Sequence, residues 1–536
     1  MRLDVKLSGL ESWIPSQSAV APRTRLPHSL QSLTLGESFN ATLGQVNLPV
    51  GLESLTLGQS FNQSLEKVRW PSQLITLTCG NEFNQTLTQV TLPNLQNLTF
   101  GARFSQSLEG VVFPTTLQNL TLGLDFNNSL EQVNLPSGLQ SLTFGPAFNQ
   151  SLEAVALPHT LQSLFLSRCF DQTLDGVHLP ASLETLSLGG FSQSLDNVVL
   201  PHGLRTLTLG DRFDHPLQGV TLPRGLQSLT LGANFSNSLD QLTFPASLLD
   251  LRFGTSSNLI LKHVTLPGSL QNLHLGRWYE PNLACLRLPE SLQSLTLDIR
   301  NPGCQLLAGT LPSNLRSLTF GPRFNQSLQG MNFPTSLTCL TFSTDFNQSL
   351  EQVNWPNGLQ SLVLGFSFKQ SLRGVTFPGG LQNFTLGYSF NQSLEMVELP
   401  KHLKSLTFGY SFNQKLERVS FPRGIQQLTF GDSFNQTLEQ VNLPPSLESL
   451  KFGLEFHQDL ERVNWPNCLQ SLAFGYMFNR GLDGVALPDT LKSLTFGKGF
   501  TKRLEGVKLP RNLQTLVCDG LHLSCGWSKQ GIDGIE

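Results

Sequence analysis

Three residues near the C-terminus carry side chains that ligate metal. Cys518, His522 and Cys525 could each donate to a zinc ion. A structural zinc site takes four ligands, and these three stand at uneven spacing, so we read stray residues of a chain end and expect no metal and no other cofactor. A second candidate is a row of carboxylates that includes Glu66, Glu109, Glu131, Glu153, Glu395, Glu439 and Glu461. Stacked about 5 Å apart, such groups repel by roughly 0.8 kcal/mol per pair in water, which a divalent cation would relieve. Lys67, Arg418 and Arg462 give simpler relief, and a solvated acidic edge is the expectation. A third candidate is Arg252, His274 and Trp278, which could form a small polar site. No G-x-x-x-x-G-K-[ST], H-E-x-x-H or G-x-S-x-G motif occurs. No Ser recurs with a His and an Asp. The chain is expected to be no enzyme.

These residues are positioned by a repeat. Pro occurs at 27, 49, 71, 93, 114, 136 and onward to 510, with a spacing of 22 apart from two steps of 21 and one of 23. A fixed period of this length marks a solenoid, a propeller or an array. Counted from each Pro, the unit reads P-x-x-L-Q-S-L-T-L-G-x-x-F-N-Q-S-L-E-x-V-x-L, columns 1 to 22. Column 4 is Leu except at Ile425, and column 7 is Leu except at Phe384. Column 13 is Phe except at Ser257, Tyr279 and Asn301. Columns 4, 7, 9, 13, 17, 20 and 22 are apolar and should face inward.

The Leu-x-Leu stretches alternate with period 2, as strands do. Thr in column 8 suits an exposed strand position. The stretch from Gly to Pro holds at most about two helical turns and is rich in Asn and Ser. We therefore expect an all-β fold with little helix, a leucine-rich-repeat-like parallel β-solenoid of about 22 coils. One ladder is expected from columns 4–9 and a second from columns 17–22. Residues 1–26 read as an N-terminal cap and 27–245 as regular repeats. Residues 246–311 form an irregular seam, 312–519 a second regular array and 520–536 a tail.

The unit resembles the FNIP repeat, a relative of the leucine-rich repeat. The matching pairs are Phe39-Asn40, Phe61-Asn62, Phe83-Asn84, Phe126-Asn127, Phe148-Asn149, Phe324-Asn325, Phe346-Asn347, Phe390-Asn391, Phe412-Asn413, Phe434-Asn435 and Phe478-Asn479. It is also similar to BspA-like leucine-rich repeats. The resemblance runs from Leu26 to Cys518 and implies a non-catalytic interaction surface. Some FNIP proteins carry an F-box and serve ubiquitin ligases; only 26 residues precede the array here, too few for one.

Charged residues are 14% and net charge is −3, so no basic footprint for nucleic acid exists. No apolar run spans a membrane. Residues 1–25 lack the apolar core of a secretory signal. Of the eight cysteines, Cys79 and Cys518 occupy core column 9 as small apolar substitutes and the other six fall in unrelated columns, unlike a disulfide framework. Asn-x-Ser/Thr recurs in columns 14–16, where the Asn is expected to bond backbone in a stacked ladder. A cytoplasmic location is the expectation.

A scaffold for an unknown protein partner is the leading function. The sequence names neither that partner nor an oligomeric state. The alternative is a binder of ice or another regular lattice, from Ser/Thr rows such as Ser54/Thr56, Thr76/Thr78 and Thr206/Thr208. The expected partner site is column 11, which carries Phe366, Tyr388, Tyr410, Asp432, Leu454 and Tyr476 in successive repeats. Aligned exposed aromatics are usual interface anchors. The seam residues Arg252, His274 and Trp278 are the second choice.

Overall fold

The structure is a computed structural model that describes residues 4–7, 26–239, 241–254, 264–278, 286–299, 311–502, 504 and 507–518. Among them there is no helix. Each repeat contributes one short strand, from β2 (Ser32–Leu35), β3 (Ser54–Thr56) and β4 (Thr76–Thr78) to β24 (Thr515–Cys518), with β1 (Asp4–Leu7) ahead of them. Neighbouring strands pair parallel and in column register, Leu33 opposite Leu55 and Leu55 opposite Leu77. The fold is a parallel β-solenoid with a 22-residue period. It divides into two compact units, one of Met1–Arg277 with Cys285–Pro289, the other of Trp278–Ala284 with Glu290–Glu536.

Each coil turns at three corners that the template spells out. The N–H of column 4 donates to the column 1 carbonyl, as Leu52 does to Pro49 at 3.1 Å. Column 13 donates to column 10, as Phe61 does to Gly58 at 3.1 Å. Column 20 donates to column 17, as Val68 does to Leu65 at 3.2 Å. Pro presets the first corner, and the fixed Leu, Phe and Val plant their side chains inside. Between the first two corners the backbone bonds only to neighbouring coils. Glu53 and Ser54 N–H donate back to Gln31, and Leu57 N–H donates forward to Thr78.

The core is built of columns. Leu52, Leu55, Phe61 and Leu65 are fully buried, and so are most of their described counterparts, the exceptions lying in the first and last coils at Phe39, Leu504, Leu513 and Leu516. The column 13 rings stack nearly parallel from Phe39 to Phe235 and from Phe324 to Phe500, with centroids 6.0–6.4 Å apart. Each such side chain stabilises the fold by about 1.5–3 kcal/mol through burial. Column 10 is Gly because backbones meet there. A Cβ on Gly58 would lie 1.8 Å from the Gly36 carbonyl oxygen.

The expected second ladder is corrected. Columns 17–22 form no strand in the described coils. The column 20 N–H closes the local turn, so it cannot also pair with the next coil. The column 22 rings of Phe333 and Trp355 stack 6.4 Å apart on this side. Val-x-Leu there alternates as a strand would, yet the alternation only packs two apolar side chains beyond a turn.

Candidate surface of stacked aromatics

Columns 10 to 14 form the corner that follows each strand. Three residues beyond β17 (Ser361–Val363), β18 (Asn383–Thr385) and β19 (Ser405–Thr407) stand Phe366, Tyr388 and Tyr410. The corner is zipped along the solenoid. Ser389 N–H donates to the Phe366 carbonyl and Ser411 N–H to the Tyr388 carbonyl, both at 2.9 Å. This fixes column 11 in register and leaves its side chains outside. Phe366 and Tyr388 stack with centroids 4.2 Å apart and planes 11° from parallel; Tyr388 and Tyr410 stack at 4.5 Å and 7°. All three remain exposed, Phe366 by 50% and Tyr410 by 37%. Leu454 and Tyr476 are exposed in the same column, with Met477 beside Tyr476.

Asp432 stands between Tyr410 and Leu454, and its Oδ1 accepts the Leu454 N–H at 3.2 Å. The Tyr388 phenol is held above its ordinary value by desolvation against its neighbours first, then by Tyr410 and by the charge of Asp432. The Tyr388 phenol is therefore uncharged at neutral pH.

The seam residues look different. Arg252 closes β12 (Asp250–Arg252), and its charge is met by Asp250 on the same strand, Nε to Oδ1 at 2.9 Å and Nη2 to Oδ2 at 3.2 Å. His274 lies opposite Arg252 on β13 (Asn272–Trp278). The Trp278 side chain lies outside the described residues, as do Ser257, Tyr279, Asn301, Cys285, Cys304, His522 and Cys525. Among the described residues no three His, Cys, Asp or Glu side chains gather as metal ligands. The acidic column 18 is relieved as expected in two places, Arg418 to Glu395 at 3.2 Å and Arg462 to Glu439 at 2.9 Å. Cys79 is buried, which pushes its thiol far above the ordinary value, while Cys169 and Cys468 are exposed free thiols.

One feature was not read from the sequence. A shallow groove of about 480 Å³ runs beside the aromatic column. Arg323, Asp345, Ser367 and Ser389 line it from column 12, and Asn325, Asn347 and Lys369 from column 14. Its signal was faint, namely a Lys at 369 where the template has Asn, and charges at 323 and 345 in a column that varies freely.

The template match is specific. The model of the FNIP Repeat matches residues 39–82, 83–125, 126–169, 170–212 and 213–256, and again in overlapping segments between 305 and 499. Among solved structures the chain is similar to CroV588, described as a circular leucine-rich-repeat protein. That likeness has 35% identity and a TM-score of 0.64 over 94% of this chain and 77% of that one. The leucine-rich-repeat chain of a TLR13 complex with single-stranded RNA aligns over 89% of this chain and 83% of its own, with 17% identity and a TM-score of 0.51, a likeness of fold alone. No curated protein matches the sequence. With the repeat model recurring over most of its length and its Phe-Asn columns stacked coil on coil, the chain belongs to the FNIP-repeat family of leucine-rich-repeat-like solenoids.

Proposed function

We propose that this protein is a non-enzymatic, cytoplasmic scaffold that binds a protein partner through the column 11 stripe. The observation that carries the reading is the exposed stack of Phe366, Tyr388 and Tyr410. Large rings are held rigid by a zipped backbone and by one another, so little conformational entropy is lost when a partner covers them. Tyr joins a large apolar area to a polar tip, which suits an interface core. Packing alone does not require these residues, since the same column holds Glu37, Gln59 and Asn81 in coils that fold alike.

The test is the double substitution Tyr388→Ser with Tyr410→Ser. The variant is expected to lose its partner in a quantitative pull-down while its melting temperature barely moves. A fall of several degrees with the partner retained would make the stripe packing and move the search to Arg252 and His274. The register of Thr34, Thr56, Thr78 and Thr99 also keeps a lattice-binding reading alive. These hydroxyls are half-buried, which makes it the weaker one. Thermal hysteresis at millimolar protein decides it, and its absence removes the idea.

A further inference from the structure

The stripe and the groove are one surface. Phe366 and Tyr388 belong to the stripe, and their chain neighbours Ser367 and Ser389 line the groove. The surface therefore has polarity. At its N-terminal end stand Arg323 and Lys369, and among the described residues neither has an ion-pair partner within 4.0 Å. The Arg323 Nη1 atom is shielded from solvent and has no hydrogen-bond acceptor among the described residues. Asp345 lies between the two cations and, among the described residues, forms an ion pair with neither, and the Asp298 Oδ1 accepts the Arg323 backbone N–H at 3.1 Å. A buried guanidinium nitrogen with no acceptor costs free energy that an incoming anion would recover. Toward the other end, past the aromatic stack, stand Asp432 and then the exposed Glu455.

Building on the stripe as a docking surface, we infer that its occupant is an extended peptide segment with an acidic side chain at one end, apolar side chains in the middle and a basic side chain at the other. The acidic group would take the groove between Arg323 and Lys369. The apolar residues would cover Phe366, Tyr388 and Tyr410. The basic group would meet Asp432 and Glu455. The coils set the spacing. Lys369 and Asp432 are three coils apart, on the order of 15 Å at ~4.8 Å per coil. An extended chain advances about 3.3 Å per residue, so the acidic and basic residues should stand roughly four to six positions apart. Opposite charges at the two ends also fix the direction in which the segment lies, since the reversed peptide places like charges together.

The experiment selects a random twelve-residue phage-displayed library on the full chain and measures the affinity of the enriched peptides as synthetic compounds. The expected consensus is an acidic residue and a basic residue four to six positions apart flanking apolar ones. Lys369→Glu, at an exposed position that leaves the core untouched, is expected to weaken binding at least about tenfold. Arg323→Gln should weaken it in the same direction. A peptide with its acidic residue changed to Lys should regain affinity for the Lys369→Glu variant. Peptides without this charge order, binding that Lys369→Glu leaves unchanged, or a library that yields no binder would each overturn the inference. If Tyr388→Ser with Tyr410→Ser abolishes peptide binding while Lys369→Glu does not, the stripe stands as a docking surface and only its polarity is wrong. If neither variant matters, both readings fall.

Discussion

The backbone N–H of Asn435 donates to the Oδ1 of Asn413 in the preceding coil at 2.9 Å, and the Nε2 of Gln436 donates to the same oxygen at 2.9 Å. One side chain thus satisfies two donors of the next repeat, and the pattern returns at Asn40 to Asn62 and at Asn391 to Asn413. Asn413→Ala would leave the part-buried Asn435 N–H without its partner. It is expected to cost about 1–3 kcal/mol in chemical denaturation. Asn413→Asp keeps the acceptor, as Asp214 does for Ser236 at 2.8 Å, and should stay within ~0.5 kcal/mol at neutral pH. Equal losses from the two variants would show that the oxygen is not what matters.

Two glycines separate backbone packing from turn chemistry. A Cβ on Gly409 would lie 1.8 Å from the Gly387 carbonyl oxygen, whereas at Gly379 nothing stands within 4 Å. Neither has a left-handed φ, so only the space differs. Gly409→Ala must push two coils apart and should cost about 1–3 kcal/mol or more. Gly379→Ala should be neutral or stabilise by about 0.4–1 kcal/mol through the unfolded chain. A stable Gly409→Ala protein would refute the close stacking of column 10.

Phe148 is fully buried between Phe126 and Phe170, with Phe144 3.9 Å away. Phe148→Ala should open a cavity and cost about 3–5 kcal/mol. Ser38, exposed in column 12, should change stability by less than ~0.5 kcal/mol as Ser38→Ala. Similar melting shifts for the two would dismantle the column assignment.

Most of this architecture was legible because a stacked solenoid repeats one physical problem in every coil. Column 7 must be apolar wherever its strand covers the core, so Leu55 and Leu77 announce themselves by period alone. Columns 17–22 misled because Val68 and Trp70 show the same alternation as a strand, while the turn that consumes the Val68 N–H leaves no mark in residue type. The stripe was visible because one column changed character from Phe366 onward. The groove was not, because Arg323, Asp345 and Lys369 come from three different repeats and each alone looks like drift.

Asp171 replaces Asn at the ladder position of its coil. Its Oδ1 accepts the Ser192 N–H at 2.8 Å, the Ser192 hydroxyl at 2.8 Å and the Gln193 Nε2 at 3.0 Å. Partial burial raises the carboxyl pKa, but the bonds from Gln193 and Ser192 and the nearby charge of Arg212 outweigh it, so the folded value lies below the ordinary 3.8. A depressed folded value means that the contribution to stability is present above the unfolded value and lost as pH falls through the folded one. Melting temperature should therefore drop as pH falls below about 4. Asp171→Asn should lessen that drop and change little at pH 7. A drop of the same size in the variant would assign the acid sensitivity to other carboxylates.

The Asn-x-Ser/Thr triplets at Asn62, Asn84, Asn149, Asn325 and Asn391 are acceptors for N-glycosylation in a secretory compartment. In the fold each of these Asn residues uses its Oδ1 to receive the backbone N–H of the next coil, at 2.8–3.0 Å. Asn62 and Asn84 sit in adjacent coils, one strand spacing of roughly 5 Å from each other along the solenoid, which leaves no room for two glycans side by side. Glycosylation during synthesis should therefore compete with folding. Fused to a secretory leader, the chain is expected to acquire several glycans and to be retained or to melt well below the protein made in a reducing cytosol. Removal of glycans from the unfolded chain before refolding should restore the higher melting temperature. A secreted, multiply glycosylated protein that melts with the cytosolic one would show that the ladder tolerates modified asparagines, and would remove this support for a cytoplasmic location.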